Sequence, residues 1–324
     1  MQPNNNETDR RNADVARTLI LLNNYEWVKK EAADIGVTII PIKGIDLLQT
    51  LYSEKFDRFV RDIDVLCLNR SECVKLAERL CKNGYRLEFP YSLHTQILET
   101  KKKVSLLSGR PTKVNVDLHT SLVTKKFFSQ TVGTFNQDAL SRCVDGHLER
   151  TDNWLFLAQH AAFHLFSDVK WIRDLHLLYR DFTPGEQDLL KQKARHYGFN
   201  RVTMLTLHLL RHLGEEQKTP PPPTYISSSD KRFLSFAMRF INRPAKGLSF
   251  RVSVVYWEFL FISRRVERFR SWLRLLFPSI GMLGCIYRMD KTCYAPFFYL
   301  LNFPVVLLSS VVFGFLYYLV PRKT

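Results

Sequence analysis

Two apolar runs, "DIDVLCL" at 62–68 and "VNVDLH" at 114–119, carry carboxylates at alternate positions, and that alternation limits what they can become. On a strand successive side chains face opposite ways, so Ile63 and Val65 enter a core while Asp62 and Asp64 share the other face. In the second run Val114, Val116 and Leu118 form the apolar face, and Asn115, Asp117 and His119 the polar one. Carboxylates this close repel unless a cation neutralises them or one takes a proton. If the two strands are neighbours, Asp117 joins Asp62 and Asp64 in a cluster of three acids. The expected setting is a cleft at one edge of a sheet, with the acids exposed. The plain alternative is a chance D-x-D on a solvated strand edge.

Around these strands the pattern alternates. Val15, Leu19, Ile20, Leu22, Trp27, Val28 and Ala32 predict an amphipathic helix over 13–35, stopped by Gly36. "GVTIIPIKG" reads as a short strand ending in Lys43-Gly44, and "IDLLQTLYS" as a turn or two of helix. Ser71 and Gly84 bracket another helix as N-cap and C′ residue, and "YRLEF" follows as a strand. An α/β or α+β domain over residues 1–125 is expected. From Trp154 to His212 apolar residues recur every three or four positions, which predicts a helical domain over 126–216. "QKTPPPPTYISSS" (217–229) cannot continue a helix and reads as a polyproline linker to a last region, 230–324.

The net charge of +16 is concentrated in that last region. Residues 231–324 hold 15 basic side chains against three acidic ones, which leaves only +4 for residues 1–230 and argues against a long nucleic-acid track there. Arg264, Arg265, Arg268, Arg270 and Arg274, interleaved with Val266, Phe269, Trp272, Leu273 and Leu276, predict a basic amphipathic segment (264–274) on an anionic membrane surface. Residues 295–320 carry no charge, and as a helix would be about 39 Å long, enough for a bilayer core of roughly 30 Å. The expectation is a C-terminal hydrophobic membrane-associated helix. A buried hairpin broken near Asn302 and Pro304 is the alternative. The start, "MQPNNNETDR", has no secretory pattern, so the expected location is the cytoplasmic membrane with residues 1–270 in the cytoplasm.

Six cysteines show neither a Cys-x-x-Cys pair nor zinc-ligand spacing, and no H-E-x-x-H, H-D dyad or glycine-rich phosphate loop occurs. Three carboxylates with oxygen ligands suit Mg²⁺, and two such ions about 4 Å apart serve an in-line displacement on a triphosphate.

The order of these motifs resembles a bacterial family of nucleotidyltransferases of the DNA polymerase β superfamily. It runs from "VTIIPIKG" through Arg58 four residues before D-I-D, the helix leading to Gly84-Tyr85 and "VNVDLHTSL", to "WLFLAQHAAFHLFSDVKWIRDLHLLY", over about residues 15–180. The resemblance implies an α+β fold, with a polymerase β-like domain and a helical companion. It implies an Mg²⁺-dependent transferase moving a nucleoside monophosphate from an NTP to an acceptor. Asp62 and Asp64 then match the metal-binding pair, and Asp117 the third acid, bound to the catalytic metal. Lys43, Gly44 and Arg58 match the triphosphate contacts. His164 and Asp174 match a helical segment near the nucleotide. Where the wider superfamily has Gly-Ser or Gly-Gly, Ile45 follows Gly44, and Arg61 stands where a small residue is usual. With a membrane tail, the expected acceptor is an envelope glycan or lipid precursor. A second reading is a catalytically silent relative that binds nucleotide as a membrane scaffold. It is favoured by the missing Ser and disfavoured by the three acids. A third joins His160, His164 and Asp174 to His119 around a transition metal, as in a metal-dependent hydrolase. Alternatively, His160, His164 and Asp174 are packed and hydrogen-bonded within the bundle.

Overall fold

The computed structural model describes residues 5–54, 57–88, 103–108, 113–123, 132–164 and 166–212, with four isolated positions beyond. The linker 217–229 and the basic segment 264–274 lie outside the described residues, as does the apolar run 295–320 apart from two single positions. Among the described residues no helix is long and apolar enough to cross a membrane. Eight helices and five strands are described. The chain divides into two compact units, Met1–Leu122 with Asn136–Glu149, and Val123–Phe135 with Arg150–Thr324.

The first unit opens with α1 (Asn5–Asp34), which buries Leu21, Tyr25, Val28 and Ala32 at spacings of three and four. The helical period is as expected but its phase is rotated, and Leu19 faces solvent. Gly36, at φ 66°, then closes the helix end, with Val37 N–H donating to Ala32 O at 2.9 Å. There follow β1 (Ile39–Pro41), α2 (Lys43–Thr50), β2 (Ile63–Cys67), α3 (Arg70–Lys82), β3 (Tyr85–Leu87), β4 (Lys103–Ser108) and β5 (Asn115–His119). The N-cap of α3 is Asn69 rather than Ser71. Its side-chain oxygen accepts from Glu72 N–H at 2.9 Å, and Asn is at least as good a cap as Ser.

The sheet order is β1-β2-β5-β4-β3, with β2 and β5 parallel and every other pair antiparallel. One face is wholly apolar: Ile63 and Val65, Val104 and Leu106, and Val116 and Leu118 are buried. Cys73, Leu76, Ala77 and Leu80 of α3 are buried too, and Cys73 Sγ lies 3.8 Å from Leu118 O. Each such aliphatic side chain contributes about 1.5–3 kcal/mol on burial. The polar face of the same strands is thereby held in place.

The division between the units falls within α4 (Val132–Ser141). The second unit continues with α5 (Arg150–Phe163), α6 (Val169–Arg180), α7 (Pro184–His196) and α8 (Asn200–His212). Trp154 Nε1–H donates to Leu175 O at 3.0 Å and ties α5 to α6, while Lys193 donates to Asp152 at 2.9 Å and ties α7 to α5. Thr183 and Glu186 form a capping box ahead of α7, with Pro184 in its first turn.

Candidate active site

The register of the parallel pair brings two acids together. Asp64 is directly opposite Asp117, with Ile63 opposite Val116 and Leu66 opposite His119. On the other side of β5, β4 sets Ser105 opposite Asp117 and Lys103 opposite His119. Strand alternation then places Asp64, Lys103, Ser105, Asp117 and His119 on the face away from the apolar core.

Asp64 and Asp117 are only 3% exposed, on two inner strands, which corrects the expectation of exposed acids at a sheet edge. The reason is that each is covered by its own cation. Lys43 Nζ lies 2.5 Å from Asp64 Oδ1, which also meets His119 Nε2 at 2.8 Å. Lys103 Nζ pairs with Asp117 Oδ2, and Ser105 Oγ–H donates to Asp117 Oδ1 at 2.6 Å. Asp64, Asp117 and His119 each offer one ligand atom, and these atoms lie within 4.8 Å of one another. Asp62 stands one residue before β2, half-buried and outside that group of three.

The electrostatics follow from these contacts. Burial pushes the Asp64 pKa up, but the Lys43 ammonium and the His119 hydrogen bond outweigh it and hold the group well below the usual carboxylate range. Burial lowers the His119 pKa, and nearby Lys43 lowers it further against the pull of Asp64, so the imidazole is neutral near pH 7. Lys103 is raised: burial disfavours its charge, and Asp117, then Asp64 and Asp62, more than compensate.

Lys43 reaches Asp64 because of a local turn. Ile42 N–H donates to Asp64 O at 3.1 Å, extending the ladder one residue past β1. Lys43 then adopts φ 55°, a left-handed conformation that costs a non-glycine residue about 1–3 kcal/mol, and the chain enters α2. The N-cap position of α2, Ile42, supplies no side-chain cap. Gly44 is packed so closely that a Cβ there would come within 2.9 Å of both Arg58 Nη1 and Val60 Cγ1. Arg58 itself is buried. Lys43, Gly44 and Arg58 are thus gathered at the start of one helix, where backbone N–H groups and positive charge favour an anion.

A further contact supports α2. Asp145 and Gly146, at φ 51° and 78°, form a two-residue turn, with Val144 and His147 exchanging N–H···O bonds of 2.9 Å. His147 Nδ1 meets the fully buried Asp46 of α2 at 2.7 Å, and this hydrogen bond raises the His147 pKa.

His164 and Asp174 belong to the second unit. His164 packs with His160 and Trp171, at ring-centroid distances of 4.8 and 5.1 Å, and Asp174 is fully buried on α6.

A family model described as an uncharacterised nucleotidyltransferase matches residues 6–215. The chain belongs to that nucleotidyltransferase family. The matched span takes in the sheet with its paired acids and runs on through α8. No curated protein matches the chain. Membership of a nucleotidyltransferase family implies a nucleoside triphosphate as substrate, and such enzymes as a class use divalent metals. Two carboxylates within ligand reach of each other, with an imidazole bonded to one of them, fit a divalent ion.

Proposed function

We propose that this nucleotidyltransferase carries out Mg²⁺-dependent transfer of a nucleoside monophosphate from an NTP to an acceptor hydroxyl or phosphate, in a polymerase β-like α+β domain with a helical companion. The observation that carries the reading is the in-register pair Asp64–Asp117 beside the Lys43-Gly44 turn. Asp64 and Asp117 would hold the metal, with Asp62 as a further carboxylate. The ion would supply charge neutralisation at the triphosphate.

The chain's own residues do the rest. Lys43 and Arg58 bind the triphosphate oxygens, and Gly44 lets backbone approach them. Neutral His119 donates to Asp64 and fixes its orientation, as a partner of a metal-binding carboxylate does. Asp117 orients the acceptor and takes its proton when the acceptor is a hydroxyl. The acceptor oxygen bonds to the α-phosphorus, the bond from that phosphorus to the α–β bridging oxygen breaks, and pyrophosphate departs. We further propose that the basic segment 264–274 and the apolar run 295–320 hold the enzyme at the cytoplasmic membrane. Its acceptor would be an envelope glycan or lipid precursor there, a view supported by the charge distribution.

The test is transfer of α-labelled ATP, CTP, GTP or UTP to cell-envelope extract by the full-length chain with Mg²⁺, alongside pyrophosphate release. Wild type should label one fraction and Asp64→Asn should not; equal labelling by both proteins defeats the proposal.

A further inference from the structure

We propose that Lys43 and Lys103 are built-in counter-ions, which make tight binding of a divalent ion conditional on the nucleoside triphosphate. The inference rests on the nucleotidyl-transfer reading and concerns the order in which that site fills. Both acids that would take the ion already carry an ammonium group: Lys43 on Asp64 Oδ1, and Lys103 on Asp117 Oδ2. The other oxygen of Asp117 accepts from Ser105, and Asp64 Oδ1 also meets His119. An ion approaching Asp64 Oδ1 or Asp117 Oδ2 therefore meets an ammonium group already in place.

Displacement by the ion alone is unfavourable. A dication and an ammonium repel strongly at the few ångströms separating neighbours on one carboxylate, and the buried setting weakens screening. A triphosphate changes this balance. Lysine is a compact charge on a flexible stem, and the Lys103 side chain is 37% exposed, so it can turn toward arriving phosphate oxygens. Lys43 already stands at the start of α2 beside Gly44 and the Arg58 guanidinium. Each lysine that moves to phosphate frees carboxylate oxygen for the ion. By linkage the same factor operates in both directions, and couplings of this kind run from about 5- to 150-fold. Without nucleotide the site would be charge-balanced by its own side chains, so the buried acids need no metal to be tolerated in the fold.

The probe is Mn²⁺, with protein-bound ion followed by water-proton relaxation in the full-length chain. It is measured alone and with the α,β-methylene analogues of ATP, CTP, GTP and UTP, which cannot be cleaved at that bond. Wild type should bind Mn²⁺ at least about ten times more tightly with one analogue than without. Lys103→Gln should bind Mn²⁺ alone at least about ten times more tightly than wild type and depend less on the analogue, while Lys103→Arg restores the wild-type pattern. Equal Mn²⁺ affinity with and without every analogue in wild type overturns the proposal. So does a Lys103→Gln protein that binds Mn²⁺ alone no better than wild type. If wild type binds neither Mn²⁺ nor any analogue, the nucleotidyl-transfer reading itself fails. Should thermal melting show Lys103→Gln unfolded, Lys103→Met is measured in its place with the same two outcomes.

Discussion

Asp64 and Asp117 face each other across two parallel inner strands, and each is matched by a lysine from a different element. Neither lysine belongs to the strand of the acid it pairs with, so the charge balance exists only when α2, β2, β4 and β5 have all assembled. Asp117→Asn keeps the side chain's shape and an oxygen for Ser105 but removes the negative charge. Partners of metal ligands are worth about 10- to 100-fold in affinity or activity, so loss of a ligand itself should lower transfer by more than about 100-fold. The thermal midpoint should move little, because Lys103 can turn to water. Pyrophosphate release and a melting curve on the same preparation check both parts; an unchanged rate removes Asp117 from the site.

Gly44 should tolerate no side chain. Alanine would place its Cβ at 2.9 Å from Arg58 Nη1 and from Val60 Cγ1, and both neighbours are buried. Overpacking of this kind costs about 1–3 kcal/mol. The guanidinium must give way, so the KM for NTP should rise more than kcat falls if Arg58 binds phosphate. Chemical denaturation gives the first number and steady-state kinetics the second. An unshifted KM would place Arg58 in a purely structural role.

Much of this arrangement was legible along the chain, and what was not has physical reasons. Alternation in "DIDVLCL" and "VNVDLH" places Asp64 and Asp117 on polar faces, because strand parity is a local property. Register is not local, so which residue stands opposite Asp117 emerges only from the folded sheet. Strand β4, with Lys103 and Ser105, is not among the elements expected from the sequence and shows the difference. "KVSLLS" has the period of two, with Lys103 and Ser105 polar and Val104 and Leu106 apolar, yet its importance lies in landing beside β5. The phase of α1 is not legible because that helix has apolar residues on several sides, and periodicity alone does not say which side meets the core. The turn at Asp145-Gly146 is local, but the partner it delivers His147 to lies 101 residues away.

That His147 contact predicts a pH dependence with a definite sign. The hydrogen bond to Asp46 raises the folded-state pKa above the ordinary 6.5, against burial and the charge of Lys29, while Asp46 and Asp145 add to the rise. A raised histidine stabilises the fold fully below its unfolded pKa, and the contribution is lost as the pH climbs through the folded value. The difference in thermal midpoint between wild type and His147→Gln should therefore be largest below pH 6.5 and shrink on the alkaline side. A gap independent of pH from about 6 to 9 would mean that the imidazole's charge contributes nothing.

In the helical unit, the Asp152–Lys193 pair is a buried polar contact joining α5 to α7, at 2.9 Å with Asp152 fully buried and Lys193 nearly so. Removing one member of such a pair takes away the attraction that offsets burial of the other, and the cost is about 3–5 kcal/mol. Asp152→Asn should therefore destabilise the chain by about that amount. Replacing both members with apolar residues of similar volume, Asp152→Leu with Lys193→Met, removes the stranded charge along with the attraction, and such swaps are often neutral or stabilising. The double variant should thus melt well above Asp152→Asn and close to wild type. Denaturation of the three proteins forms the comparison. A double variant no more stable than the single one would show that the two helices depend on the ion pair itself rather than on the avoidance of an unpaired charge.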